Sequence, residues 1–256
     1  MSQQQPNSQG RVVVFTGAGL SAESGIPTFR VGTDALWEGH RIEEVCDFNT
    51  WKNNRELVHR FYDARRVTAA AASPNAAHYA LARWQIRWGA ELLTQNVDDL
   101  LERAGASEVV HLHGSLRRMR CTACGHTWEL EGLTWDPTTG RCPVQRCASL
   151  RGVKPDVVFF HEGAPEYANM YRTIRQLRPE DTVIVMGTSC AVIPFQTMLR
   201  GSFAGARVIN SLRPIEELGE GVLTFNHVLG MPATEAVARI EDLLRERHGV
   251  GRVVAS

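Results

Sequence analysis

Residues 11–22 read RVVVFTGAGLSA, a run of β-branched and apolar residues that leads directly into a glycine-rich turn. Such a run is typical of a strand that is buried on both faces of a parallel sheet. Gly17 and Gly19 would let the backbone approach a diphosphate, and amide groups at the start of a helix favour anions. The pattern is also compatible with a tight strand-to-helix turn that holds no ligand. The acidic residue that an ordinary dinucleotide-binding dehydrogenase carries about 20 residues further on is not evident, so that class of enzyme fits poorly.

The chain beyond this turn alternates between strand-like and helix-like segments. Strands are predicted at residues 91–94, 156–160, 182–186 and 207–210, and helices at 56–72, 165–177, 194–200 and 234–248. This alternation predicts an α/β fold, with a Rossmann-like parallel sheet and helices on both faces. Ligands of such sheets lie beyond the carboxyl ends of the strands, where loops lead into helices.

Two segments interrupt the alternation. Residues 29–77 contain aromatic helical segments, and residues 116–154 contain four of the six cysteines and little periodicity. We expect a small helical part and a zinc module there, packed against the sheet so that a cleft remains between them. The large Rossmann-like part then comprises residues 11–28, 78–115 and 155–250 of one domain that spans 11–250.

The bulk composition argues against several classes of partner. The 256 residues carry a formal net charge of zero, so global charge favours neither nucleic acid nor an anionic membrane. No run approaches the ~18 apolar residues that a membrane span needs. Residues 1–10 are rich in Gln, Ser, Asn and Pro and contain no apolar stretch, which predicts a disordered tail rather than a signal peptide. We therefore expect a cytoplasmic protein, and a monomer is compatible with the sequence.

Four cysteines form two close pairs, Cys121-x2-Cys124 and Cys142-x4-Cys147. In a chain without a secretory signal, this clustering favours a metal over disulfides. Four thiolates close the tetrahedral coordination of Zn²⁺ and leave no open position, so the predicted metal is structural rather than catalytic. The alternatives are four unligated thiols and, for the neighbouring His126, a ligand rather than a bystander.

Other polar residues have both a functional and a structural interpretation. Asn96 and Asp98 follow a strand and could simply cap the next helix. His113 precedes a glycine after a short apolar strand and could be an ordinary loop residue. Tyr62 and Arg65 share one helix face at i and i+3, which also suits a surface arginine beside a partly buried tyrosine.

The longest motif favours the functional interpretations. Residues 17–30 read GAGLSAESGIPTFR, which resembles the sirtuin signature GAGxSxxSGIPxFR. Further sirtuin-like motifs follow in order: TQNVD at 94–98, HG at 113–114, KPDVVFF at 154–160, GTS at 187–189, and Asn210 after its strand. The resemblance spans roughly residues 11 to 245.

The sirtuin resemblance implies NAD as a co-substrate, one structural zinc and acyl-lysine proteins or peptides as substrates. It implies that His113 is the general base, a role that suits imidazole near neutral pH. Asn96 and Asp98 would hold the nicotinamide ribose and carboxamide, with support from Gln95. The remaining NAD-binding residues implied are Gly17, Ala18, Gly19, Gly187, Thr188 and Ser189 around the diphosphate, Phe29 and Arg30 over the reacting ribose, Asn210 at the adenosine ribose, and Ala22 and Val97 beside them.

The same resemblance implies the course of the reaction. The acyl oxygen attacks the ribose carbon as nicotinamide leaves, and His113 removes a proton from the ribose hydroxyl that attacks the resulting imidate. Water then yields free lysine and O-acyl-ADP-ribose. Two rivals remain: a relative that transfers ADP-ribose to protein or hydrolyses NAD, and a non-catalytic NAD-binding or zinc-ribbon module.

The residues expected to bind the acyl group resemble those of one branch of the sirtuins. Tyr62 and Arg65 match the Tyr-x-x-Arg pair of members that accept succinyl, malonyl and related acidic acyl groups, which a guanidinium can bind bidentately. Thr28 and the small Cys46 are also typical of that branch. We therefore expect desuccinylase or demalonylase activity as well as deacetylation.

The peptide substrate is expected to pair with the end of the KPDVVFF strand. The residues implied there are Val158, Phe159, His161 and Glu162. His161 replaces the glycine that usually precedes the glutamate, and a side chain at this position is expected to narrow the peptide groove or change its sequence preference. Leu101 replaces a histidine common in the helix after the TQNVD motif, where packing is the expected consequence.

Overall fold

The computed structural model describes residues 10–28, 36–37, 39–212 and 221–251, with the backbone alone at 36–37. The predicted tail therefore lies, apart from Gly10, outside the described residues, as do Phe29 and Arg30. Among the described residues, no helix is both long and apolar enough to cross a membrane.

A six-stranded parallel sheet forms the centre of the molecule. Its strands are β1 (Val12–Thr16), β4 (Glu91–Thr94), β5 (Val110–His111), β9 (Thr182–Met186), β10 (Ala206–Asn210) and β11 (His227–Leu229). They lie in the order β11-β10-β9-β1-β4-β5, and every neighbouring pair is parallel. The register aligns Thr16 with Thr94 on one side and with Met186 on the other, so the carboxyl ends of these strands meet at one edge. The predicted α/β class is confirmed.

Helices cover both faces of this sheet because its strands carry apolar side chains on both faces. Val12 and Val14 of β1 pack into one cluster, with residues of α4 (Ala76–Trp88) and α8 (Ala233–His248). Val13 and Phe15 pack into the cluster on the opposite face, with α6 (Tyr167–Arg175) and α7 (Phe195–Met198). Each of these side chains is fully buried, which stabilises the fold by about 1.5–3 kcal/mol per side chain.

A second, antiparallel sheet corrects one strand prediction. β8 spans Val153–Val157 and pairs with β6 (Gly114–Cys121), which also pairs with β7 (Thr127–Glu129). The strand predicted at 156–160 therefore starts earlier, ends at Val157 and does not join the parallel sheet. β8 reads VKPDV and is buried throughout despite its Lys, Pro and Asp, whereas the apolar run that suggested a strand at 156–160 continues beyond the end of β8.

The remaining elements are small or join the two sheets. They are α1 (Gly19–Ala22), β2 (Leu36–Trp37), β3 (His40–Arg41), α2 (Ile42–Val45), α3 (Arg55–Ala71) and α5 (Leu100–Arg103). The helix α4, which the sequence pattern did not predict, begins at an Asn75 cap whose Oδ1 accepts from the backbone N–H of Ala77 at 3.0 Å, and ends at Gly89 in the left-handed region.

Helix α3 binds the cysteine-rich module along one face. Arg55 donates to the carbonyl oxygens of Pro137 and Leu150 at 2.7 and 2.9 Å. One and three turns further along the helix, His59 contacts the Val153 carbonyl at 3.2 Å, and Arg66 donates to the Leu116 carbonyl at 2.7 Å. These contacts hold α3 and the module in one arrangement.

Candidate active site

A cavity of about 1030 Å³ opens where the carboxyl ends of the parallel strands face α3 and β8. The sequence-predicted site residues that line it are Ala18, Gly19, Ala22, Arg65, Gln95, Asn96, Val97, Asp98, His113, Val158, Phe159, His161, Glu162, Gly187, Thr188, Ser189 and Asn210. Thr28 and Cys46 line it as well. Gly17 and Tyr62 lie outside this lining, and Phe29 and Arg30 lie outside the described residues.

Two glycine-containing loops pack against each other at one end of the cavity. The Gly19 N–H donates to the Gly187 carbonyl at 2.7 Å. A Cβ at Gly19 would lie 2.7 Å from that same oxygen, and a Cβ at Gly17 would lie 2.7 Å from Thr188 Cβ. Gly187 itself has φ +64°, and its Cβ would lie 2.4 Å from the Leu20 nitrogen. Glycine is therefore required for this close approach, which leaves backbone along one wall of the cavity, as a diphosphate site requires.

The Ser21 hydroxyl organises the polar centre of the cavity. It donates to Asp98 Oδ2 at 3.0 Å and accepts from Asn96 Nδ2 at 3.0 Å. His78 Nε2 lies 3.3 Å from the same oxygen, and His78 Nδ1 accepts from the Asn75 N–H, so the proton of this neutral ring is on Nε2. Burial lowers the pKa of His78 to about 4. The network thus fixes the orientation of both Asn96 and Asp98.

The pKa of Asp98 is raised above its usual value, because burial outweighs the hydrogen bonds that oppose it. Burial raises its pKa, while hydrogen bonds from the Leu100 N–H and the Ser21 hydroxyl act in the opposite direction. His111 lies nearby and is engaged elsewhere, with Nδ1 at 2.9 Å from the Asn96 carbonyl and Nε2 at 2.7 Å from Glu102. His111 is therefore a structural residue, whereas Asp98 remains an acceptor at the cavity wall.

His113 has a defined tautomer. Its Nδ1 lies 3.1 Å from the carbonyl oxygen of Gln95, which can only accept, so Nδ1 carries the proton. Its Nε2 lies 2.9 Å from the Tyr167 hydroxyl. Burial lowers the pKa of His113, which favours the neutral ring. A neutral imidazole with its Nε2 lone pair toward the cavity is the form that a general base requires.

The side chains of Gln95 and Asn210 are oriented by protein contacts. Gln95 Nε2 donates to Thr188 Oγ1 at 3.2 Å, which joins the loop after β4 to the loop after β9. Asn210 Nδ2 donates to the carbonyls of Leu229 and Met231 at 3.1 and 2.8 Å. Both amide hydrogens of Asn210 are then in use, and its Oδ1 is the atom that could accept from a ribose hydroxyl.

Arg65 brings a positive charge to the opposite end of the cavity. It is 8% exposed, and its guanidinium carbon lies 4.1 Å from the centre of the Phe61 ring. Tyr62 is completely buried and stacks on Phe159, with ring centroids 5.6 Å apart. The Tyr62 hydroxyl donates to Cys46 Sγ at 3.4 Å. The predicted pair is therefore split, because Arg65 reaches the cavity and Tyr62 lies behind Cys46.

The segment after β8 is tied to the protein through its backbone N–H groups. Val158 donates to the His113 carbonyl, and Phe160 donates to the Cys46 carbonyl, each at 2.9 Å. Phe159 donates to Glu162 Oε2 at 2.9 Å. These three N–H groups are in use, and the carbonyl oxygens of Phe159 and Phe160 also accept, from the N–H groups of Glu162 at 3.1 Å and Phe48 at 2.9 Å.

A buried ion pair supports the same segment. Lys154 is 1% exposed, and its Nζ lies 3.0 Å from Glu162 Oε2 and 4.0 Å from the centre of the Phe159 ring. Lys154 also donates to the Val157 carbonyl at 2.6 Å. Burial lowers the pKa of Lys154, and the Glu162 carboxylate opposes that shift.

His161, which replaces the usual glycine, keeps the backbone conformation that glycine favours. Its φ is +64°, in the left-handed region that glycine adopts without cost. Its Nδ1 lies 3.0 Å from Asp47 Oδ2, and the side chain is 64% exposed. The contact with Asp47 holds the imidazole at the rim of the cavity, where it leaves the interior open.

The four predicted zinc ligands come together. Their Sγ atoms all lie within 4.8 Å of one another, and Cys121–Cys147 and Cys124–Cys142 are 3.7 Å apart. Tetrahedral Zn²⁺ with Zn–S bonds of about 2.3 Å requires S···S distances of about 3.8 Å, so the cluster fits this metal. His126 instead stacks on Trp128, with ring centroids 5.7 Å apart.

Sequence reasoning missed three residues of the site. Ser21 lies within the glycine-rich motif, five residues after the buried strand, and that position is a signal that could have identified it. His78 orients Ser21 from α4, and Tyr167 reaches His113 from the start of α6. No local pattern links these two residues to the site, because each contact joins distant parts of the chain.

Comparison with known proteins agrees with this geometry. The sequence profile of the Sir2 family matches residues 17–194. An NAD-dependent protein deacylase of Helicobacter hepaticus is 39% identical over 257 residues, which cover 92% of this chain and 98% of that protein. NAD-dependent protein deacylase 1 of Archaeoglobus fulgidus is 44% identical over 185 residues, 72% of this chain and 73% of that protein. A Sir2 homologue solved in complex with NAD has a TM-score of 0.74 at 34% identity, over 93% of this chain and 91% of that one.

Proposed function

This chain belongs to the Sir2 family and is an NAD-dependent protein deacylase, and we propose that it removes succinyl and malonyl groups from lysine side chains as well as acetyl groups. NAD is its co-substrate, and the four-cysteine cluster suits a structural zinc. The observation that carries the acidic-acyl proposal is the buried Arg65 guanidinium in the wall of the cavity.

A buried cation that lines a cavity favours an anionic ligand. Arginine stays protonated, and its planar fork matches a carboxylate with two hydrogen bonds. The Phe61 ring lies against the guanidinium and restrains its plane. The carboxylate at the end of a succinyl or malonyl chain is therefore a suitable ligand, whereas an acetyl group offers Arg65 no charge.

The walls beside Arg65 support this proposal because they leave room for an extended acyl group. Cys46, Thr68 and Ala69 line this part of the cavity, and all three side chains are small. Tyr62 lies behind Cys46, to whose sulfur it donates a hydrogen bond. Since sulfur is a weak acceptor, an acyl carboxylate that reached the phenol would compete well for that hydrogen bond.

We assign the chemical step to the opposite end of the cavity. His113 would accept a proton through Nε2 from the ribose hydroxyl that attacks the acyl carbon. Asn96 and Asp98, oriented through Ser21, would hold the nicotinamide and its ribose. The loops at Gly19 and Gly187 would hold the diphosphate, and Asn210 would accept from the adenosine ribose. His113→Ala is expected to abolish acyl removal while NAD still binds.

The acyl preference is tested with matched succinyl-lysine and acetyl-lysine peptides and Arg65→Met. We expect the variant to lose roughly 10–100-fold in kcat/KM for the succinyl peptide, because contacts to a charged group contribute about 1.5–3 kcal/mol. Activity on the acetyl peptide should change little. Arg60→Met is the matched control, since Arg60 lies on the same helix with its side chain 70% exposed.

Two results would contradict the proposal. If wild type ignores the succinyl peptide, or if Arg65→Met affects both peptides equally, Arg65 does not bind the acyl carboxylate. Nicotinamide release is followed in the same reactions. Release that does not require an acylated peptide would favour NAD hydrolysis or ADP-ribose transfer over deacylation.

A further inference from the structure

The Tyr167 hydroxyl contacts the nitrogen of His113 that the reaction uses. The hydroxyl lies 2.9 Å from Nε2, and the two ring centroids are 5.9 Å apart with an interplanar angle of 45°. Both residues line the cavity. Tyr167 is the first residue of α6, and its backbone N–H donates to the Ala164 carbonyl at 3.2 Å, so the contact reaches His113 from a separate element.

The direction of this hydrogen bond follows from the tautomer. Since His113 Nδ1 donates to the Gln95 carbonyl, Nε2 of the neutral ring has a lone pair and must accept. The phenol is therefore the donor. Burial raises the pKa of Tyr167, so its proton is retained at neutral pH. One lone pair can accept one such donor, and in the free enzyme that donor is Tyr167.

Ionisable side chains on the surrounding elements are engaged away from His113. The pairs are His111 with Glu102, Asp98 with Ser21, Asp156 with Arg118, and Glu162 with Lys154. Tyr171, one turn along α6, makes an edge-to-face contact with Tyr167, with ring centroids 6.4 Å apart. Of these ionisable side chains, Tyr167 is the one whose polar atom contacts His113 Nε2.

We propose that Tyr167 is a positioning residue that occupies the proton-accepting nitrogen of His113 in the free enzyme and is exchanged for the ribose hydroxyl when the substrates bind. This inference rests on the proposed role of His113 as the general base. A ribose hydroxyl and the phenol cannot both donate to the same lone pair, so the Tyr167 contact must open before proton transfer. The Gln95 contact at Nδ1 keeps the ring oriented during that exchange.

The test removes only the hydroxyl, with Tyr167→Phe. A hydrogen bond to the neutral base disfavours its protonation, so its loss should raise the pKa of His113 in the free enzyme by about 0.4–1 unit. The titration is followed through the His113 ring signals by NMR. The acid limb of kcat/KM should move to higher pH by the same amount, a shift that a purely structural role would not produce.

Tyr171→Phe is the matched control, because it removes a neighbouring hydroxyl that does not contact His113 and should leave the titration unchanged. An unaltered His113 titration in Tyr167→Phe overturns the inference. A pH-independent loss of kcat, without a shift in the titration, also overturns it, since that pattern indicates a purely structural role. Failure of the proposed function gives a different result: His113→Ala would remain active, whatever the titration of the Tyr167 variant.

Discussion

His161 combines an unfavourable backbone conformation with one compensating contact. Its φ of +64° costs a residue with a Cβ about 1–2 kcal/mol relative to the right-handed region. Its Nδ1 lies 3.0 Å from Asp47 Oδ2, where the His161 side chain is 64% exposed and the Asp47 side chain is 10% exposed. A hydrogen bond between side chains that are exposed to this degree contributes about 0.5–1 kcal/mol to the stability.

These magnitudes predict an order of stability among three variants. His161→Gly loses the contact but relieves the backbone, so its free energy of unfolding should stay within about 0.5 kcal/mol of wild type. His161→Asn tolerates the left-handed region and keeps a donor, so it should also resemble wild type. His161→Ala keeps the strain and loses the contact, which should lower the stability by about 0.5–1 kcal/mol and Tm by about 1–4 °C.

Chemical and thermal denaturation of the three variants measures this order. The same series in an Asp47→Asn background supplies the control. Asparagine keeps an oxygen for the Asn49 N–H, which Asp47 Oδ1 accepts at 2.7 Å, but removes the carboxylate from His161. There the penalty of His161→Ala should shrink. The reasoning is refuted if Ala is as stable as Gly, or if the Ala penalty is unchanged when Asp47 is replaced.

Two further predictions concern the zinc module and the His111–Glu102 pair. Chelation or Cys124→Ser should release one Zn²⁺ per chain and lower Tm, because the thiolate cluster closes the module; an unchanged Tm after full zinc release would contradict a structural metal. Burial opposes the charges of His111 and Glu102, but their mutual contact raises the pKa of His111 and lowers that of Glu102. The stabilisation that this ion pair gives the folded protein is therefore lost as pH rises through the raised His111 pKa or falls through the lowered Glu102 pKa. Glu102→Gln should lower Tm by about 1–3 °C near pH 6 and hardly at pH 9, and equal losses at both pH values would refute the linkage.

Local patterns in the sequence account for the parallel sheet and the cysteine cluster. The strands at residues 12–16 and 182–186 are fully buried, and a continuous apolar run indicates that environment directly. The cysteine spacing likewise predicts the zinc cluster, because two close pairs supply four thiolates. In both cases the determining signal lies within a few neighbouring residues.

The misassigned strand and the missed contacts depend on distant partners. Val153–Val157 includes Lys154, Pro155 and Asp156 yet is fully buried, and its antiparallel partner is the distant strand Gly114–Cys121. Tyr167 meets His113 across 54 positions of the chain, and His78 meets Ser21 across 57. The hydrogen bond from the Tyr62 hydroxyl to Cys46 Sγ likewise joins the helix of Tyr62 and Arg65 to a residue outside it.

The attachment of α3 to the cysteine-rich module limits how this enzyme can acquire a new acyl preference. Arg55, His59 and Arg66 anchor the helix to backbone carbonyls, so a sliding or tilting α3 would break several bonds at once. The position of α3 relative to the cysteine cluster is therefore fixed, and so is the position of the cavity wall that carries Arg65. Under the proposed role of Arg65, exchanges at Arg65, Thr68 or Ala69 would change the length or charge of the acyl group accepted while α3 keeps its position.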